Sequence, residues 1–374
     1  MINNIDIKNF KSLMSNSFEL KKLNVLSGIN GAGKSTLCQA ILLLKEYFEH
    51  YASTSNTVSL NGNFLNLGTV QDILNEGAQD DLIDISYQVG EANYKFILDA
   101  STELRRNDFA NLKNAIVDHA SQSNIFSKVK YLAAERLGPR VVQNKNDYSL
   151  RVLKDLGVAG QYVNSFLELY GKDAIQLDNR FHLNSESDQL IHQVELWLKE
   201  ISPNINLNTN SLLNTDFVSI QYQFATKLGR SESYRATNVG FGISYILPVI
   251  VMCLSSSPGD ILIIDTPEAH LHPRGQSKIG ELLANTAADG VQVILETHSD
   301  HVINGIRRQA AKRKLLADDT SFYFFTLAAG EEITSPYSKI YSPKLDQNGM
   351  FDKWPDGFFD EWSASLSELI KLRN

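Results

Sequence analysis

Residues 28–35 read Gly28-Ile29-Asn30-Gly31-Ala32-Gly33-Lys34-Ser35, a complete GxxxxGK[ST] string followed by Thr36, and no other stretch limits the fold of this chain so tightly. The chemistry demands those residue types. Glycines let successive backbone N–H groups curl around phosphate oxygens, a lysine reaches the outer phosphates, and a serine hydroxyl faces the accompanying Mg²⁺. The apolar run Leu23–Leu26 precedes the loop, and Leu37, Ala40, Ile41, Leu44 and Phe48 follow at helical spacing. Strand, loop and helix therefore come in the order that turns a glycine-rich string into a phosphate cradle. A chance glycine-rich turn would lack those flanks.

The 374-residue chain is large enough for a sizeable core and for two or three compact units, or one domain with an insertion. A net charge of −8 with 21% charged residues excludes wholesale coating of nucleic acid and leaves only local basic patches for such a contact. Cys38 and Cys253 each lie in an apolar helical stretch, which suits two reduced core thiols and a cytoplasmic location, not a disulfide framework. The longest apolar run, Ile243 to Leu254, is too short to cross a bilayer, so no membrane partner is expected.

Ile5 and Ile7 alternate with polar residues before Asn9-Phe10-Lys11-Ser12, predicting an opening strand and a turn; Phe18–Leu20 and Leu23–Leu26 supply two more strands. This opening, leading into the phosphate loop, resembles the ATPase heads of the SMC, RecF and OLD-nuclease group, which are ABC-type folds. Asp81–Val89 and Asn93–Leu98 alternate as an antiparallel pair, as a β-lobe over a nucleotide would. In such heads a glutamine near this point senses Mg²⁺ and the γ-phosphate; Gln71 is the candidate here, against the ordinary reading of a solvated side chain. Residues 101–127 are polar and helical in tone. Val129–Ala134 reads as a buried strand ending at Glu135-Arg136-Leu137-Gly138-Pro139-Arg140, where Arg136 and Arg140 either approach phosphate or a partner subunit, or pair with surface carboxylates. Residues 151–216 are mostly helical by spacing, with no sustained heptad and hence no coiled-coil arm, and Phe217–Phe224 alternates as a strand.

Gly240, Gly242 and Ser244 stand ahead of an apolar helix, where free N–H groups and the helix dipole favour an anion. The resemblance gives that place to the signature loop, which contacts the γ-phosphate held by a second subunit, although no LSGGQ string is present. Ile261–Ile264 closes on Asp265, the form of a Mg²⁺-holding strand end. The usual ABC head has a glutamate next; this chain has Thr266, and the nearest carboxylate is Glu268, expected to act as general base or to orient the attacking water. His270 and His272 in the following string would occupy the loop that crosses a dimer interface, and as zinc ligands they lack a third partner nearby. Val291–Thr297 leads to His298, which in such heads bonds the γ-phosphate.

Helix residues Arg307, Arg308, Lys312, Arg313 and Lys314 form a basic face, solvated or contacting nucleic acid. Ser321–Leu327 and Ser338–Tyr341 read as closing strands before Trp354-Pro355-Asp356-Gly357-Phe358-Phe359 and an amphipathic helix. The strings YLAAERLGPR, PEAHLHP and WPDGFF resemble one subgroup of bacterial defence-type ATPases.

The expected fold is α/β, a P-loop NTPase of ABC-type head architecture with a mixed central sheet, an antiparallel β-lobe and a helical lobe. Residues 1–374 form one head: 1–135 the P-loop core and β-lobe, 136–235 a mostly helical lobe, 236–320 the signature, Asp265 and His298 half, and 321–374 the closing strands and helix. The resemblance implies an ATPase using ATP and Mg²⁺, with Lys34, Glu268 and His298 catalytic. Asn30, Gly31, Gly33, Lys34, Ser35, Thr36, Gly240, Gly242 and Ser244 would hold the nucleotide, and Ser35, Asp265 and Gln71 the metal. It further implies a homodimer or higher oligomer closed through the ATP site and a separate effector, a nuclease or toxin, in anti-phage defence. A RecF-like DNA-repair clamp and a non-hydrolysing ATP-bound scaffold are the alternatives. No spaced acidic cluster for a metal-dependent nuclease follows Asp300.

Overall fold

The computed structural model describes residues 1–50, 56–117, 125–175, 178–328, 330, 333, 335–355, 357–358 and 361–372. It is a mixed α/β chain that divides into two compact units. The first contains Met1–Val129, His298–Asp300 and Ala317–Asn374, and the second Lys130–Thr297 and His301–Leu316.

The first unit opens with β1 (Asn4–Phe10), β2 (Leu13–Glu19) and β3 (Leu23–Gly28), then α1 (Lys34–His50). Strand β1 buries Ile5 and Ile7 and exposes Asp6 and Lys8, the period-two pattern of a half-covered strand. Strand β3 is buried along most of its length, as its continuous apolar run requires. Next come β4 (Thr57–Ser59), the short α2 (Val70–Ile73), and β5 (Leu82–Val89), β6 (Ala92–Asp99) and β7 (Phe109–Val117). These strands make an antiparallel sheet in the order β2-β1-β5-β6-β7-β4. Tyr87 and Tyr94 face each other across β5 and β6 with stacked rings 4.7 Å apart. The helical tone read into 101–127 is corrected over 109–117, where the chain is strand β7. It lies between β6 and β4, so both edges of its backbone find partners, and that tertiary pairing overrides a weak local preference. Residues 118–124 of the same stretch lie outside the described residues.

The second unit begins with β8 (Val129–Leu132) and β9 (Gln143–Asn144), then α3 (Val163–Tyr170) and α4 (Leu190–Ile201). Strands β10 (Ile205–Ser211), β11 (Phe217–Thr226), β12 (Gly229–Arg230) and β13 (Tyr234–Arg235) follow, and β11 pairs with β9, β10, β12 and β13. The expected helical run over 151–216 therefore gives way to a strand at 205–211. Ile205, Asn206 and Leu207 are buried there, and β11 supplies an antiparallel partner along the whole of β10. Helix α5 (Phe241–Ser255) is apolar around its circumference and buried from Ile246 to Leu254, as a central helix must be. It is followed by β14 (Ile261–Asp265), α6 (Pro273–Ala288), β15 (Gln292–Glu296) and α7 (Asp300–Ala311). Strands β14 and β15 are parallel and β8 lies beside β14. Both cysteines are buried.

Strands β16 (Thr320–Ala328) and β17 (Tyr337–Tyr341) return to the first unit, β16 parallel to β3 and antiparallel to β17. Phe351, Trp354 and Phe358 then pack on one another and on Phe322 and Phe324 ahead of α8 (Glu361–Lys371). Asp356, Phe359 and Asp360 lie outside the described residues. Among the described residues no helix is long and apolar enough to cross a membrane.

Candidate functional site

In the first unit the glycine-rich string forms a tight loop between β3 and α1. Gly28, Gly31 and Gly33 take φ values of +135°, +76° and +95°, conformations that side chains resist. A Cβ on Gly28 would lie 2.0 Å from the carbonyl oxygen of Phe325, and one on Gly33 would meet the hydroxyls of Ser12 at 2.3 Å and Ser338 at 2.4 Å. The Lys34 ammonium is held within the loop, donating to the carbonyls of Gly28 at 3.0 Å and Ile29 at 2.9 Å. Ile29, Asn30 and Gly31 are exposed, while Lys34 and Thr36 are buried and Ser35 is half-buried. Helix α1 starts with no acidic residue in its first turn, which leaves a positive helix end beside a fixed cation. Ser338, on β17, donates to the carbonyl of Ala32 at 2.7 Å and lies 2.8 Å from the Ser12 hydroxyl. Spacing along the chain gave no signal for either serine.

Gln71 belongs to the same unit, exposed on α2. That helix is tied to the turn behind the phosphate loop, since Lys11 N–H donates to the Ile73 carbonyl at 2.7 Å. Lys11 also donates from Nζ to Gln39 of α1 at 3.0 Å, and burial lowers its pKa against the opposing pull of Asp72.

In the second unit β14 delivers Asp265 to a strained turn. Thr266 has φ +46°, a value rare for a β-branched residue, and His270 has φ +62°. The Thr266 hydroxyl donates to Asp265 Oδ1 at 2.7 Å, and its N–H donates to the carbonyl of Glu296 on β15 at 2.9 Å. Glu268 is 7% exposed. Helix α5 begins against this turn: a Cβ on Gly242 would lie 2.5 Å from the His270 carbonyl oxygen, and the His270 ring packs edge-on against Phe241 and Tyr245, each at 4.8 Å. Gly240, the N-cap of α5, has nothing within 4 Å of its Cβ position, so its own chain does not require glycine there. The Ser244 hydroxyl is buried with no hydrogen-bonding partner. His272 caps α6, its Nδ1 accepting from Arg274 N–H at 3.4 Å with Pro273 in the first turn, and no group of three or more metal-ligating residues occurs among the described residues.

Arg136 holds this turn together. Its guanidinium donates to four carbonyls, those of Ala133 (2.8 Å), Tyr245 (3.1 Å), Asp265 (2.7 Å) and Thr266 (2.7 Å), and the side chain is 3% exposed. Burial lowers its pKa, opposed by the neighbouring Asp265, Tyr245 and Glu268. The sequence had pointed to phosphate, a partner or a carboxylate; the partners are instead backbone oxygens. His298, next after Thr297, is exposed.

The first unit thus gathers Asn30, Gly31, Gly33, Lys34, Ser35 and Thr36, and the second gathers Gly240, Gly242, Ser244, Asp265 and Glu268. A family model described as "AAA domain, putative AbiEii toxin, Type IV TA system" matches residues 23–304, and one described as a protein of unknown function (DUF3696) matches residues 315–369. No curated protein matches the sequence. Among solved structures, the fold is similar to an SMC head bound to the C-terminal winged-helix domain of ScpA, with TM-score 0.54, 13% identity, and 92% of this chain and 98% of that one covered. It is also similar to an SMC head with an extended coiled coil bound to the C-terminal domain of ScpA from Pyrococcus furiosus, with TM-score 0.52, 11% identity, and 100% and 99% covered.

Proposed function

The chain belongs to the AAA domain family whose model spans residues 23–304, and from that premise we propose that it binds and hydrolyses ATP with Mg²⁺, two copies closing over the nucleotide as a switch that controls a separate effector. The observation carrying this reading is the loop itself: three glycines at positive φ curl around a buried lysine that donates to the Gly28 and Ile29 carbonyls, a cradle of N–H groups and one cation. The backbone from Asn30 to Thr36 would hold the phosphates, with Lys34 on the outer ones. Ser35, Asp265 and Gln71 would hold the metal, which when bound would supply positive charge to the phosphates. Glu268 would orient the attacking water and take its proton, and His298 would donate to the γ-phosphate. The bare N-terminus of α5, with Gly240 open to approach, suits the nucleotide of a second copy. Moving such a pair from mostly apart to mostly together takes about 5.5 kcal/mol of differential affinity. Charge-assisted bonds to the γ-phosphate are of the strength to supply it.

The family description mentions a toxin of a type IV TA system, which supports a defence setting, and the SMC head structures carry a domain of another protein, which supports a partner protein docking on this head. The test is phosphate release and mass in solution. ATP should double the mass, Lys34→Ala should abolish both responses, and Glu268→Gln should trap the dimer while stopping turnover. The Thr266 hydroxyl engaging Asp265 favours one second reading, a scaffold that holds ATP without hydrolysis; phosphate release at background in the unaltered protein, equal to that of Glu268→Gln, would select it.

A further inference from the structure

A cavity of about 260 Å³ opens in the second unit between α4, α6, the end of α7 and the 179–184 loop, lined by none of the residues assigned to ATP. Its deep wall carries two side-chain amides. Asn285 is 7% and Gln309 2% exposed, and Asn285 Oδ1 and Gln309 Nε2 are buried with no hydrogen-bonding partner. An unsatisfied buried polar atom costs about 1–3 kcal/mol, and native proteins keep few. The acidic wall is already balanced, since Lys278 lies 3.4 Å from Glu200 and 3.5 Å from Glu281.

The rim is different. Helix α7 ends in a Schellman turn: Lys314 N–H donates to the Gln309 carbonyl, Arg313 N–H to that of Ala310, and Arg313 takes φ +60°. This turn sets Lys312 and Lys314 at the mouth, both exposed and neither in an ion pair among the described residues. Phe181, half-buried, adds an aromatic side chain to the wall; Trp197 lies behind it, 3% exposed, with its N–H on the Arg180 carbonyl and its ring edge-on to His182.

A ligand meeting all three features has a planar body, an edge with both a donor and an acceptor, and an anionic group. We propose that this cavity binds a nucleotide unit, base inward with its edge on Asn285 and Gln309 and phosphate on Lys312 and Lys314. Asn and Gln amides pair with base edges in this way, and aromatic rings stack on base faces. A free mononucleotide and the terminal nucleotide of a single strand share that chemistry, and the proposal is independent of the ATP reading.

The experiment is titration calorimetry on the full chain carrying Lys34→Ala, so that the glycine loop contributes little. The probes are AMP, ribose 5-phosphate and a 5′-phosphorylated four-residue deoxyadenosine strand. AMP or the strand should bind saturably, tenfold or more tighter than ribose 5-phosphate. Lys312→Glu with Lys314→Glu, at exposed positions, should weaken binding at least tenfold without moving the melting temperature, and Gln309→Met should do so through the base. Tighter binding of the strand identifies a strand end as the source, and tighter binding of AMP the free mononucleotide. Absence of saturable binding by AMP and strand alike, equal binding of AMP and ribose 5-phosphate, or indifference to the lysine pair overturns the assignment.

Discussion

Arg136→Met keeps most of the side chain's apolar packing and removes every donor. Four carbonyls, of Ala133, Tyr245, Asp265 and Thr266, then lose a charged partner in a place that is 3% exposed. Taking about 1 kcal/mol for each hydrogen bond lost, a typical net value, the loss is about 4 kcal/mol. At roughly 2–4 °C per kcal/mol for a unit of this size, the melting temperature should fall by about 10 °C. The functional loss should exceed what reduced stability explains. Thr266 sits at φ +46°, a conformation that stores about 1–3 kcal/mol and persists only while its surroundings enforce it. Without the bond from Arg136 to its carbonyl the turn relaxes, and Glu268 moves with it. Urea unfolding and ATP turnover should be measured at a temperature where the variant is fully folded, beside Arg136→Lys, whose single ammonium cannot reproduce the fork and should recover part of the stability and little turnover. A stability change under about 1 kcal/mol, or turnover unchanged in the folded variant, would refute the assignment of Arg136 as the residue that positions this turn.

Ser338→Ala removes a hydroxyl 2.7 Å from the Ala32 carbonyl and should raise the KM for ATP severalfold with little change in kcat, read by steady-state kinetics. Arg313→Gly places glycine at a φ of +60° and should stabilise the chain by about 1 kcal/mol in urea unfolding. Burial pushes the Cys253 thiol up to about 12, outweighing the Thr286 hydrogen bond and the charge of Arg180, so mass spectrometry should find it unalkylated by iodoacetamide at pH 8 until denaturant is added. At Glu200 burial alone would raise the pKa, but Lys278 and His182 prevail and hold it below its usual 4.5. A depressed carboxyl stabilises the fold above its unfolded pKa and loses that contribution as pH falls through the folded one, so Glu200→Gln should flatten the acid limb of stability below about pH 4.5.

What the sequence discloses here is what short range controls. The phosphate loop, β14 ending on Asp265, β15 and the apolar α5 are each written in a dozen consecutive residues, and each lies where its pattern placed it. The misread stretches depend on partners elsewhere. Strand β7 has its apolar residues interrupted by Asn111, Lys113 and Asn114 without strict alternation, and becomes a strand because β6 and β4 flank it; β10, rich in asparagine, hides in a helical window until β11 pairs with it. Arg136 and Ser338 were illegible for a related reason. Their partners include main-chain carbonyls up to hundreds of positions away, and a carbonyl has no signature in a sequence. His272, expected in a loop that crosses a dimer interface, also caps α6 within its own chain, a local role that its spacing did not disclose.

The segment matched separately at 315–369 is not a separable module in this structure. It supplies β16, parallel to β3 from Leu23 to Gly28, and β17, which carries Ser338 to the loop. Gly28 has to be glycine because the Phe325 backbone occupies the space of a side chain, and Gly33 is hemmed by Ser338 together with Ser12. Two of the glycines that shape the cradle are thus fixed by residues some 300 positions downstream. The loop's geometry is a property of the N-terminal motif and the C-terminal strands together, so a ligand or partner that strains β16 or β17 has a direct mechanical route to the residues around Lys34.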